Sequence, residues 1–180
     1  MRSMVCRTFV LAVFVIVTPL SAFGQTKLDT VPDGMRSLYT SVRRNLIEAA
    51  ELMPESNYAF KPTPDVRSFG ELIGHIANTH FNFCSAARGV ASPNKQNNEK
   101  LTAKAELVQV LKDSSAFCDA AFETLTDAAV AEPAKFGSTP ITKGYALIYN
   151  IAHDNEHYGN IVTYLRLKGL VPPSSARAIR

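Results

Sequence analysis

Hydrophobic residues recur at steps of three and four along most of this chain, and four stretches carry the pattern far enough to predict helices. The first runs from about Pro32 to Met53, with Met35, Leu38, Val42, Leu46, Ala49 and Leu52 on one face. The second, about Ser68 to Arg88, opens on Ser68-Phe-Gly-Glu71, the spacing of a capping box that satisfies free amide groups at a helix start. The third covers about Leu101 to Ala131, with Leu107, Val110, Leu111, Phe117, Ala121, Phe122 and Leu125 as its stripe. The fourth runs from about Lys143 to Lys168 and stops at Gly169, with Pro172-Pro173 beyond it to prevent resumption. No comparable run of strict alternation appears, so no sheet is expected. Amphipathic helices of this length predict an all-α, four-helix bundle.

The joints differ in character. Pro54 to Arg67 holds Pro54, Pro62 and Pro64, too much proline for a helix, while Tyr58 and Phe60 suggest that it packs on the bundle. Gly89 to Lys100 is polar, with Pro93, Asn94, Asn97 and Asn98, and reads as a mobile surface connection.

The first two dozen residues follow another logic. Arg2 and Arg7 precede the apolar run Thr8 to Leu20, and Ser21-Ala22-Phe23-Gly24 supplies small residues suited to a signal peptidase. The run is shorter than the roughly 20 residues needed to span a bilayer. Residues 1–24 are therefore expected to be a cleaved export signal and 25–180 a single domain, periplasmic or secreted, without stable membrane association. Removing Arg2 and Arg7 lowers the formal net charge from +3 to +1. No basic patch with interleaved aromatics remains to support nucleic-acid binding.

Chemistry concentrates in Ile151-Ala-His153-Asp-Asn-Glu-His157-Tyr-Gly. Side chains at i and i+4 stack one above the other on a helix, so His153 and His157 can reach one divalent metal. On the fourth helix Ala146, Asn150, His153, His157, Ile161 and Tyr164 share one arc, opposite Leu147, Ile151, Tyr158, Val162 and Leu165. On the second helix His80 falls among Phe69, Ile73, Ile76, Phe83 and Ala87 and reads as a hydrogen-bonded core histidine. His75 lies on the more polar border with Asn78, Thr79 and Asn82, which makes it the better third ligand. Three histidines would leave a coordination position for water or substrate.

Competing readings fit less well. His153-Asp-Asn-Glu156-His157 has the spacing of an H-x-x-E-H protease, but no acid follows His157 to complete the ligand set. Glu156 projects about 80–100° away from the histidine line and reads as solvated surface. A di-iron carboxylate site would need Glu-x-x-His on two helices, and neither His-bearing segment supplies it. Cys84 and Cys118 are the cysteines left after processing; a disulfide and a pair of buried thiols both remain open.

Phe60-Lys-Pro-Thr-Pro-Asp-Val-Arg-Ser68-Phe-Gly-Glu-Leu-Ile-Gly-His75-Ile-Ala, with His153-Asp-Asn-Glu-His157-Tyr-Gly and the terminator Gly169-Leu-Val-Pro172-Pro173, resembles the DinB-like (DinB/YfiT) superfamily over nearly all of the mature chain. The resemblance implies an antiparallel-type four-helix bundle in which His75, His153 and His157 bind a divalent metal: zinc, nickel, iron or manganese. It also implies activity on small molecules, as a thiol S-transferase or isomerase or as a hydrolase, through a metal that lowers the pKa of a bound thiol or water. Tyr164 and Asn150 become candidate lining residues. A non-catalytic module holding metal or a small ligand is the alternative, and homodimer formation is a further option that the resemblance carries.

Overall fold

The computed structural model describes residues 29–178, so the expected export signal lies outside the described residues. Four long helices form the body: α1 (Val31–Leu52), α2 (Phe69–Arg88), α3 (Lys104–Glu123) and, after a short α4 (Asp127–Val130) and the strands β1 (Pro133–Phe136) and β2 (Thr139–Thr142), α5 (Lys143–Leu167). A last turn, α6 (Pro173–Ala178), closes the description. None of the described helices is long and apolar enough to cross a membrane.

Local chemistry sets the helix ends. Thr30 and Ser68 each head a capping box, with Asp33 and Glu71 reaching back to the cap amide. Thr142 Oγ1 accepts from Tyr145 N to start α5. Gly89 and Gly169, at φ 66 and 72, follow α2 and α5 in the left-handed conformation that glycine adopts without strain.

Contacts between helices fix their directions. Cys84 pairs with Cys118, His80 with Ser114 and Phe81 with Phe117 at nearly constant offset, so α2 and α3 run parallel. His80 meets Asp154 while Cys84 lies by Asn150, so α2 and α5 run antiparallel. Tyr39 stacks on Phe122 and Glu51 pairs with Lys112, which makes α1 antiparallel to α3. The bundle is thus not a simple up-and-down meander. The segment joining α2 to α3 must return along the bundle to reach the start of a parallel neighbour.

That return strap, 89–103, departs from the mobile connection expected. Asn98 is fully buried, and its backbone N and Nδ2 both donate to Asn78 Oδ1 on α2, as does Asn94 Nδ2. The strap crosses α2 at Gly74, where a Cβ would stand 2.6 Å from Asn98 C and 2.8 Å from Glu99 N.

Three further differences have local causes. The third helix stops at Glu123, because Thr126 caps a new turn and Pro133 follows. A two-stranded hairpin appears where no sheet was expected. Its strands have four residues each, contain Pro133 and Pro140, and turn through Gly137 at φ 59, too short for alternation to register. Pro173 begins a helix instead of forbidding one, since proline suits the first helical position.

Two apolar clusters fill the bundle. One joins Val42, Leu46, Met53, Phe69, Ile73, Leu107, Ile161 and Leu165; the other joins Met35, Tyr39, Phe122, Ala146, Leu147 and Ile151. A polar layer that includes His80, Ser114, Asn150 and Asp154, all fully buried, lies at mid-bundle. Beside it the Cys84–Cys118 disulfide joins α2 to α3 with Cα atoms 5.2 Å apart, resolving the alternative left open by the sequence. Closing a loop of 34 positions stabilises the fold by about 3–4 kcal/mol in the chain-entropy account.

A Gly74→Ala substitution tests the strap. Alanine gains about 1 kcal/mol of helix propensity over glycine. Here the methyl meets the strap's backbone, and overpacking of that kind costs about 1–3 kcal/mol. We expect net destabilisation in urea unfolding and faster amide exchange over 94–101; unchanged exchange with increased stability would show that the strap does not need this contact.

Candidate metal centre

α2 and α5, packed antiparallel, bring His75, His153 and His157 together. The capping box at Ser68 starts α2 so that His75 falls on the face turned to α5, and helical spacing stacks the other two rings. His153 Nε2 lies 3.2 Å from His75 Nε2 and 3.0 Å from His157 Nε2. Around a metal with nitrogen ligands at about 2.0–2.1 Å, neighbouring donors lie roughly 3.3–3.4 Å apart at the tetrahedral angle and roughly 2.9–3.0 Å apart at a right angle. Those two spacings fall in that range and all three ligand atoms lie within 4.8 Å of one another, so this cluster could hold one metal ion.

Each outward Nδ1 has a partner. His75 Nδ1 is 2.9 Å from Glu99 Oε1, His153 Nδ1 is 3.3 Å from Thr79 Oγ1, and His157 Nδ1 is 3.4 Å from the Asn160 amide. A proton on His75 Nδ1, donated to the carboxylate, leaves the Nε2 lone pair free for a cation. Thr79 donates its own hydroxyl proton to backbone carbonyls of α2, so its oxygen can accept from His153 Nδ1. The Asn160 atom facing His157 is Nδ2, a donor, and turning the amide over would put its Oδ1 there to accept from His157 Nδ1 as Thr79 does for His153.

Electrostatics favour neutral imidazoles. Burial, followed by the neighbouring His157 and His75, lowers His153 to about 3 from an ordinary 6.5. Burial and His75 also lower His157. Glu99 is pushed up by burial, but hydrogen bonds from His75 and Arg67 outweigh that and hold its carboxyl below the ordinary range.

The other candidates separate cleanly. His80 is the core histidine expected: its Nε2 lies 2.9 Å from Asp154 Oδ1 and its Nδ1 3.2 Å from Ser114 Oγ. Tyr164 lines a cavity of about 710 Å³ that also borders His157, and its hydroxyl donates to Arg67 O at 2.6 Å. Asn150 does not reach the site; it is fully buried and donates to Asp154 Oδ2. Glu156 is exposed, as expected, yet it borders the same cavity as His157. Glu99 was missed, because nothing in a polar loop 24 positions away marks it as a histidine's partner. Thr79 had a usable signal, lying one turn after His75 on the same face.

A family model described as the DinB superfamily matches residues 38–161. The chain belongs to the DinB superfamily. Among solved structures, a DinB-like protein from Bacillus cereus ATCC 10987 superposes with a TM-score of 0.66 at 19% identity, covering 78% of this chain and 95% of that one. YfiT from Bacillus subtilis, described as a probable metal-dependent hydrolase with an unusual four-helix bundle topology, gives 0.61 at 17%, covering 84% and 97%. A mycothiol-dependent maleylpyruvate isomerase gives 0.60 at 14%, covering 74% of this chain and 61% of the isomerase. At these identities the likeness concerns the fold. No curated protein matches the sequence.

The lowered imidazoles make acid stability a test. Between pH 6.5 and about 3 the unfolded chain protonates a histidine that the folded chain keeps neutral at His153, so acidification favours unfolding. Metal-free protein should lose stability between about pH 7.5 and about pH 5 in urea titrations, and His153→Gln should lose less over that interval. Equal losses in the two proteins would show that His153 is not held neutral.

Proposed function

We propose that His75, His153 and His157 bind one divalent metal in an exported, single-domain DinB-superfamily enzyme that hydrolyses small molecules. The observation that carries this reading is the convergence of three Nε2 atoms whose Nδ1 atoms are each occupied from outside. A metal bound there would act as a Lewis acid, lowering the pKa of a water or thiol placed against it.

The surrounding residues supply the rest. Glu99, shared between His75 and Arg67, keeps the His75 ring oriented. Glu156 forms no ion pair among the described residues and borders the cavity at His157, so its carboxylate is available to take a proton from a nucleophile entering there. Lys61 and Arg67 line the same cavity, where they can face a substrate's negative charge, although each also pairs with a glutamate.

Thiol transfer is the second reading, drawn from the mycothiol-dependent isomerase of the same fold. The Cys84–Cys118 disulfide weighs toward water, since a compartment that keeps such a bond oxidised is poor in reduced small thiols. The same bond supports the export reading of residues 1–24.

Protein purified without an affinity tag should contain about one zinc, nickel, iron or manganese per chain, and His153→Ala should lose it. In a panel of ester, amide and thiol-transfer substrates, Glu156→Gln should retain metal while lowering turnover of the accepted substrate by about 10²-fold or more. Absence of metal from metal-replete wild-type protein would refute the site. Full metal with no turnover across the panel would favour a binding module over an enzyme.

A further inference from the structure

The hairpin and the far end of the α2–α5 groove form a second feature, outside the histidine cluster. Phe83 is buried with its ring 5.0 Å from Phe136 and nearly parallel to it, and 4.9 Å from Tyr149. Tyr145 lies 6.0 Å from Tyr149. Together they border a cavity of about 810 Å³, within the size range of small-molecule sites. Phe136, Tyr149 and Tyr145 remain 40%, 47% and 55% exposed. Folding alone does not account for three large rings left half in water at one concave place.

The aromatic pocket and the histidines are neighbours on the same two helices. Tyr145, Tyr149, His153 and His157 follow one another at i+4 along α5, and His75, Thr79 and Phe83 do so along α2. Tyr149 therefore lies one turn before His153, about 6 Å along the axis. Phe83 touches both regions, with its ring 5.9 Å from that of His153. No acidic side chain lines the cavity, and threonine, proline, isoleucine and alanine fill its remaining wall. An aromatic box suits either a flat apolar group or an organic cation, and the missing carboxylate favours the neutral group.

We propose that this pocket binds a planar, uncharged aromatic group of the ligand whose reacting end lies at His75, His153 and His157. The claim rests on the metal-site reading for the reacting end and on the hairpin rings for the aromatic end. Phe136, Tyr145 and Tyr149 then determine specificity without touching the reacting atoms.

Calorimetric titrations can separate the two parts. Naphthol should bind metal-free and zinc-loaded wild-type protein alike, and binding should weaken about tenfold or more in Tyr149→Ala and in Phe136→Ala. Both substitutions fall on exposed rings, so the variants should fold, which their circular dichroism will check. On zinc-loaded protein, naphthohydroxamate should bind about tenfold tighter than acetohydroxamate, and Tyr149→Ala should abolish that preference. Equal affinities for the two hydroxamates without naphthol binding would overturn the pocket and leave the metal site standing. Naphthol binding with neither hydroxamate bound would overturn the metal reading instead. Tetramethylammonium binding in preference to naphthol, or a Tyr149→Ala variant altered only in oligomeric mass, would overturn the proposed ligand class.

Discussion

The register of α2 against α5 governs the rest of the structure. Metal donors contributed by two helices must be placed to a few tenths of an ångström, and apolar contacts are too permissive to set such a register alone. The buried His80–Asp154 contact joins the same two helices between His75 and the disulfide. Asn150 holds the second carboxylate oxygen, so Asp154 is satisfied on both sides. Breaking a buried hydrogen bond of this kind leaves polar atoms unsatisfied in the core and costs about 1–3 kcal/mol. A slip of one residue would separate His80 from Asp154 and turn His153 from His75 in the same movement.

The parallel pairing of α2 with α3 adds a constraint of its own. A chain leaving the end of α2 has to travel back along the bundle, and it does so over the face that carries His75. Gly74 lets the strap sit against the helix, Asn78 satisfies the strap's buried polar groups, and Glu99 arrives at His75 Nδ1. A connection demanded by topology thereby supplies the orienting partner of a candidate ligand. The Gly74–His75 pair is consequently one feature, with the glycine admitting the strap that the histidine uses.

Much of this was legible in advance because it rests on short-range regularity. Capping at Ser68, the stop at Gly169 and the i, i+4 pair on α5 depend on neighbours within one or two turns. The placement of His75 outside the apolar arc and His80 within it follows from counting 100° per residue. Less accessible were contacts made across the fold. Glu99 and Asp154 acquire their roles from crossover topology and helix register, which no local pattern encodes. The hairpin escaped because two prolines and a tight turn leave strands of four residues, and Asn150, placed on the histidine arc by periodicity, was drawn inward by Asp154.

The chemistry suggested by the fold has to agree with the sulfur chemistry of the chain itself. A metal that activates a small thiol needs a reduced thiol pool, while a cystine between α2 and α3 persists where such pools are scarce. Water is present in either compartment. Glu156 borders the cavity at His157, and the pocket at Phe83 is walled mainly by aromatic rings with no charged side chain. Under the hydrolase proposal, the polar mouth at His157 and the aromatic box at Phe83 would each meet one end of a small ester or amide with a flat substituent, a division of labour that a thiol cofactor does not call for.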